Sequence, residues 1–249
     1  MGPLGYRQRA FGFQRGDEIG QNHAGRLPAG CQRHLVTKRR AIAIGFTLAI
    51  GAAVSLLVAT PSGPASMREF DPDRLASLET RMWQAYYAKE KIRLFGLLVT
   101  MLREQYHYSW ATATREGFHL ARAAATFGDA RGGYEQVLPD LEAAYGMARD
   151  RLGAGFDARA VARAELAWWV ARRTPGEDSA GRVGELIADE YALLYEAPRS
   201  DLEPAAMLRA QAGALRDAQA AQPDWDTIGR LLRDSYRSLR AALSPKRLA

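Results

Sequence analysis

Residues 157–196 read DARAVARAELAWWVARRTPGEDSAGRVGELIADEYALLYE, and their spacing decides the fold class. Asp157 stands before the periodic run as a helix N-cap. The run predicts a helix to about Arg173. Thr174-Pro175-Gly176-Glu177-Asp178-Ser179 is turn chemistry, so the helix ends there. Val183, Ile187, Glu190 and Leu194 then recur at helical spacing, which predicts a second helix over about 182–196. Pro198 ends it.

The same signals repeat on both sides. Asp71-Pro72 caps a helix expected to run unbroken to about Tyr106, with Gly96 as a bend. Ser109 caps another, to about Phe127. A third covers about 134–150, with Pro139 as a kink or restart. Beyond Pro198, helices are expected over about 201–220, with Pro204 in the first turn, and over about 224–243. No β-branched alternation follows residue 70. The expectation is an all-α domain over 70–245, an irregular bundle of about seven helices. A domain of this size closes a core without metals or disulfides. No internal repeat suggests a solenoid.

Residues 41–59, AIAIGFTLAIGAAVSLLVA, carry no charge. A helix of that length spans ~28 Å, about one hydrocarbon core. Lys38-Arg39-Arg40 precede it, and Thr60-Pro61-Ser62-Gly63-Pro64 follow. This order predicts a transmembrane or signal-anchor helix, or an export signal, with the helical domain outside the cytoplasm. Residues 1–37 hold seven glycines by residue 30 and no apolar period. They read as disordered or as untranslated. Arg outnumbers Lys by 30 to 4, as in a GC-rich gene with open frame upstream of its true start. A start at Met67 would instead give a cytoplasmic bundle, with exposed Trp or Tyr as a means of oligomerisation.

The 249 residues carry a net charge of +6. Eight of the 34 Lys/Arg and two of the 28 Asp/Glu lie in residues 1–66. The rest of the chain is therefore neutral, which argues against a nucleic-acid-binding domain. The single cysteine, Cys31, excludes an intrachain disulfide, a Cys-based zinc site and a nucleophilic cysteine in the helical body. No dinucleotide fingerprint, Walker loop or serine elbow occurs, so no cofactor is expected.

Two Glu-x-x-His pairs, Glu104/His107 and Glu116/His119, have the spacing of di-iron bundles. They lie twelve residues apart, at one helix end and the next helix start, whereas di-iron bundles put a whole helix between them. Arg115, Glu116 and Arg122 also flank His119 like a solvated face. The pairs are read as surface residues, with no metal.

A more promising stripe is Glu79, Trp83, Tyr86/Tyr87 and Glu90. Glu165, Trp168/Trp169 and Arg172/Arg173 form another, and Glu190 sets a carboxylate on an apolar face. A carboxylate among apolar groups must pair, hydrogen-bond or stay protonated. The plainer reading is a core of large aromatics with structural Glu–Arg pairs. The sharper one is a ligand pocket between the first and fourth predicted helices, formed by Glu79, Trp83, Tyr87, Glu165, Trp169, Arg172 and Glu190. The expected function is a membrane-anchored or exported helical module that binds a protein partner or small ligand without catalysis. The alternative is a helical-bundle enzyme or metal protein using Glu79, Glu165 and Glu190.

Overall fold

The computed structural model describes residues 46–63 and 66–244, and their regular structure is helical, with no strand among them. The chain divides into two units, Met1–Ile50 and Gly51–Ala249. Of the first, only 46–50 are described, and they are helical. Helix α1 covers 46–58, and its apolar side chains, Phe46 to Val58, are exposed. No helix among the described residues is long and apolar enough to cross a membrane. Residues 41–45 of the apolar run, and the whole of 1–37, lie outside the described residues.

The helical body comprises α2 (Pro72–Tyr87), α3 (Lys91–Tyr106), α4 (Trp110–Asp129), α5 (Leu138–Leu152), α6 (Ala158–Ala171), α7 (Ala180–Tyr195), α8 (Arg199–Ala218) and α9 (Trp225–Leu243). The side chains of Asp71, Ser109, Asp157, Ser179 and Asp224 accept from first-turn amides, as N-caps do. A 3-10 turn, Tyr134–Val137, precedes α5, so Pro139 marks a restart and no kink.

Eight body helices stand where about seven are expected, because the first predicted helix is two. Lys89 turns left-handed at φ 60. Its amide donates to Tyr86 O, and the Glu90 amide to Ala85 O, which closes α2 in a Schellman turn. The chain then doubles back, so that Leu78, Met82 and Ala85 pack on Leu94, Leu97 and Leu98. Burying both apolar stripes against each other wins over continuing one helix with a stripe left wet. Gly96 sits inside α3, which continues through it. Pro204 lies inside α8, beyond the first turn.

Close packing runs between successive helices, α2 on α3 through α8 on α9, and α9 closes back on α2. The connections over 88–90, 107–109 and 196–198 are short, which makes their helices antiparallel neighbours. The body is thus a closed ring. Helices pack with axes ~9 Å apart, so eight on a circle would stand ~12 Å from its centre. Such a ring cannot be filled by Leu and Ala alone. Trp, Tyr, Arg and Glu side chains project inward to fill it.

Candidate functional site

The ring encloses a cavity of about 520 Å³, lined from all eight helices. One end is open. The C-termini of α2, α4, α6 and α8 bring Tyr86, Tyr87, Phe127, Arg172, Arg173, Arg216 and Asp217 there. Arg173 and Asp217 are exposed and still line the cavity. The guanidinium groups reach backbone carbonyls in the last turns of α4 and α8. Arg173 donates to Phe127 O at 2.6 Å, and Arg172 donates to Gly213 O at 3.3 Å. Gly213 permits this approach, since a Cβ there would lie 3.0 Å from Arg172 Cζ. Arg172 also binds Asp217 at 2.7 Å and the Tyr87 hydroxyl at 3.1 Å. Arg216 lies over the Tyr87 ring at 3.2 Å and Arg173 over Phe127 at 3.9 Å.

The other end is closed by the segment before α2. Met67 lines the cavity, and Arg68 donates to Tyr195 O at 2.5 Å, at the end of α7. Arg240 of α9 in turn donates to Arg68 O at 2.8 Å.

Between the two ends sit the buried charges. Glu79 accepts from Arg209 at 2.5 and 3.1 Å, from Trp83 Nε1 at 3.2 Å, and from the Tyr236 hydroxyl. Arg209 also stacks on Trp168 at 4.8 Å. Arg209 directs Nε and Nη2 to one oxygen of Glu79, and its charge also acts on Glu165 and Glu190. Glu165 and Glu190 are different. Their carboxylates accept from Tyr145 OH at 2.7 and 3.3 Å, and Glu190 accepts from Trp168 Nε1 at 2.5 Å. Neither has a hydrogen bond from a guanidinium among the described residues. Burial, with Glu165 beside it, pushes the Glu190 carboxyl up to about 8. Burial also raises Glu165. Glu165 keeps accessible surface because it faces the cavity.

Other polar groups face the same space. Glu116 is 4% exposed, and its Oε2 has no hydrogen-bond partner among the described residues. Burial pushes its carboxyl up to about 8. Tyr106, Tyr191 and Tyr195 line the cavity, and burial raises each hydroxyl.

No family model, curated protein or solved structure matches this chain. Its functional reading therefore rests on this geometry.

All seven residues expected to form a pocket, Glu79, Trp83, Tyr87, Glu165, Trp169, Arg172 and Glu190, face this one cavity. It is broader than a pocket between two helices. Glu90 is not part of it; that residue is exposed and pairs with Arg93. Sequence reading missed Tyr145, Arg209, Tyr191, Tyr236 and Glu116 as cavity residues. Glu116 was expected on the surface and is instead turned inward. The two Glu-x-x-His pairs come apart. Glu104 pairs with Arg74 at 2.7 Å, and His119 bonds Asp140 at 2.8 Å. No group of three or more His, Cys, Asp or Glu able to hold a metal ion occurs among the described residues.

Proposed function

We propose that the helical ring is a binding module that holds a small, largely apolar ligand in its central cavity. One observation carries the reading: a ring of eight helices keeps about 520 Å³ open behind an aromatic rim. Ligand pockets fall at ~300–1,000 Å³ and combine apolar walls with a few fixed polar groups. Binding without turnover fits the carboxylates, because Glu79 and Glu190 are each anchored by donors from other helices. The neutral fluorophore N-phenyl-1-naphthylamine tests this. It should bind the full chain saturably at one site. Ala148→Phe, which fills the space from α5, should remove that site while the far-ultraviolet spectrum stays helical. Absence of saturable binding in the wild-type chain would overturn the reading.

A second reading is favoured by Glu190, whose carboxyl, pushed up to about 8, suits a general acid–base role at neutral pH. It is set against the first by Glu190→Gln, which should preserve binding in a module.

The apolar run 41–59 is proposed as a membrane tether or export signal that places the ring outside the cytoplasm. The exposed apolar face of α1 supports this, because bare apolar surface of that kind marks a lipid or partner contact. The N-terminal residue of the native protein in membrane and soluble fractions decides it. A mature chain beginning at Met67 in the cytosol would rule the tether out.

A further inference from the structure

The cavity is charged unevenly along its axis. Near the open end, Arg172, Arg173 and Arg216 have Asp217 as their hydrogen-bonded carboxylate among the described residues; Arg172 and Arg173 also donate to backbone carbonyls and tyrosine hydroxyls, while Arg216 keeps Nε without a partner. Deeper in, the Glu79–Arg209 pair is neutral as a unit. That leaves Glu165 and Glu190 sharing the single proton of Tyr145. A hydroxyl donates once, so when it serves Glu165 the second carboxyl keeps only Trp168 Nε1, and burial beside Glu165 favours its protonated form. The groups facing this pair are Tyr145 from α5, Trp168 from α6, Tyr191 and Tyr195 from α7, Arg209 from α8 and Glu79 from α2. Arg209 is the one resident cation among them, and its hydrogen bonds go to Glu79.

An independent observation points the same way. The Tyr191 and Tyr195 side chains are more than nine-tenths buried, line the cavity, and have hydroxyls without a hydrogen-bond partner among the described residues. Glu116 Oε2 is likewise unpartnered. A buried atom such as Glu116 Oε2 is rarely left so unless something absent satisfies it, and the two tyrosine oxygens face the cavity free to accept. Tyrosine oxygens and carboxylates are acceptors, and the surrounding indole and phenol faces attract cations.

We propose that the inner part of the cavity is a site for the protonated amine of an arylalkylamine, with Glu165 and Glu190 as its counter-charges and the aromatic walls around its ring. This rests on the cavity-binding reading. In the empty site the pair holds a proton. The entering ammonium replaces that proton and donates to both carboxylates and to the orphaned tyrosine oxygens. Binding therefore releases one proton near neutrality, and amine affinity rises with pH.

The test uses the full chain and two probes of one shape, tryptamine and its alcohol counterpart tryptophol, competing against N-phenyl-1-naphthylamine. Tryptamine should bind at least tenfold more tightly than tryptophol. That advantage should grow between pH 6 and 8 and fall to parity in the double variant Glu165→Gln/Glu190→Gln. Should that variant fail to hold the reporter, calorimetry of tryptamine binding to the wild-type chain in two buffers of different ionisation enthalpy decides. Release of about one proton supports the proposal, and release of none overturns it. Equal binding of amine and alcohol at every pH overturns the amine site and leaves the cavity reading standing. Failure of the reporter itself to bind overturns both.

Discussion

Tyr145 has one proton to give and two carboxylates within reach. Burial, with the Glu165 charge beside it, favours the protonated form of Glu190, and a pH dependence follows. A carboxyl with a raised native pKa binds its proton more tightly folded than unfolded. Its contribution to stability is complete below the ordinary carboxylate range and is lost as pH rises towards about 8. Stability should therefore decline from pH 5 to 8. Glu190→Gln imitates the protonated acid and should flatten that decline by up to about 1.4 kcal/mol per pH unit. Urea midpoints over the pH series measure it, and an unchanged slope would mean Glu190 carries no proton. The lowered carboxyls of Asp73, Asp129, Asp140 and Asp224 act in the acid range; Glu116 and Glu165 are raised like Glu190 and stay in the variant, so the difference between variant and wild type reads Glu190. At this scale the sequence was partly legible. Trp and Tyr beside Glu at helical spacing marked α2 and α6. Arg209 carried a signal too, since Ala205, Ala206, Ala212 and Gly213 surround it at helical spacing and set it on a buried small-residue face. Glu116 shares a stripe with Ala113 and Leu120, which should have outweighed its nearness to His119.

The helices themselves were written in their caps. Asp71, Ser109, Asp157 and Asp224 each begin an element where the sequence puts it. The break at Lys89 was not written, because no glycine or proline marks it. A lysine at φ 60 carries a left-handed cost of about 1 kcal/mol, which the packing of α2 on α3 must exceed. Lys89→Gly removes that cost. It gives up only an exposed contact of 3.9 Å with Asp129, and such pairs contribute little. The variant should be more stable by about 1 kcal/mol, seen as a melting temperature higher by roughly 2–4 °C. A lower melting temperature would show that the lysine does more than turn the chain.

The ring belongs to the whole molecule and to no single helix. Every amphipathic pattern in the chain says only that one face is buried. None says how many neighbours will share the centre, so the all-α class was readable and the central cavity was not. Glu79 shows why. Its partners Arg209 and Tyr236 are 130 and 157 residues away, and the site exists only once α9 has packed on α2. Six residues read as two local stripes, with Glu190 on a third helix, thus become parts of one wall.

The junction between α9 and α2 has one more consequence. Arg237 grips Asp73 at 2.8 Å, and Arg240 reaches Arg68 O, so the first turn of α2 lies beside the last turns of α9. Where a helical ring begins and ends at one place, the order of its helices is a matter of history more than of architecture. A short linker could join the end of α9 to the segment before α2, and the helical body could be cut anew in the exposed loop over 174–179. Circular permutation there would leave every neighbour in place and make α7 the first helix instead of the sixth in the ring.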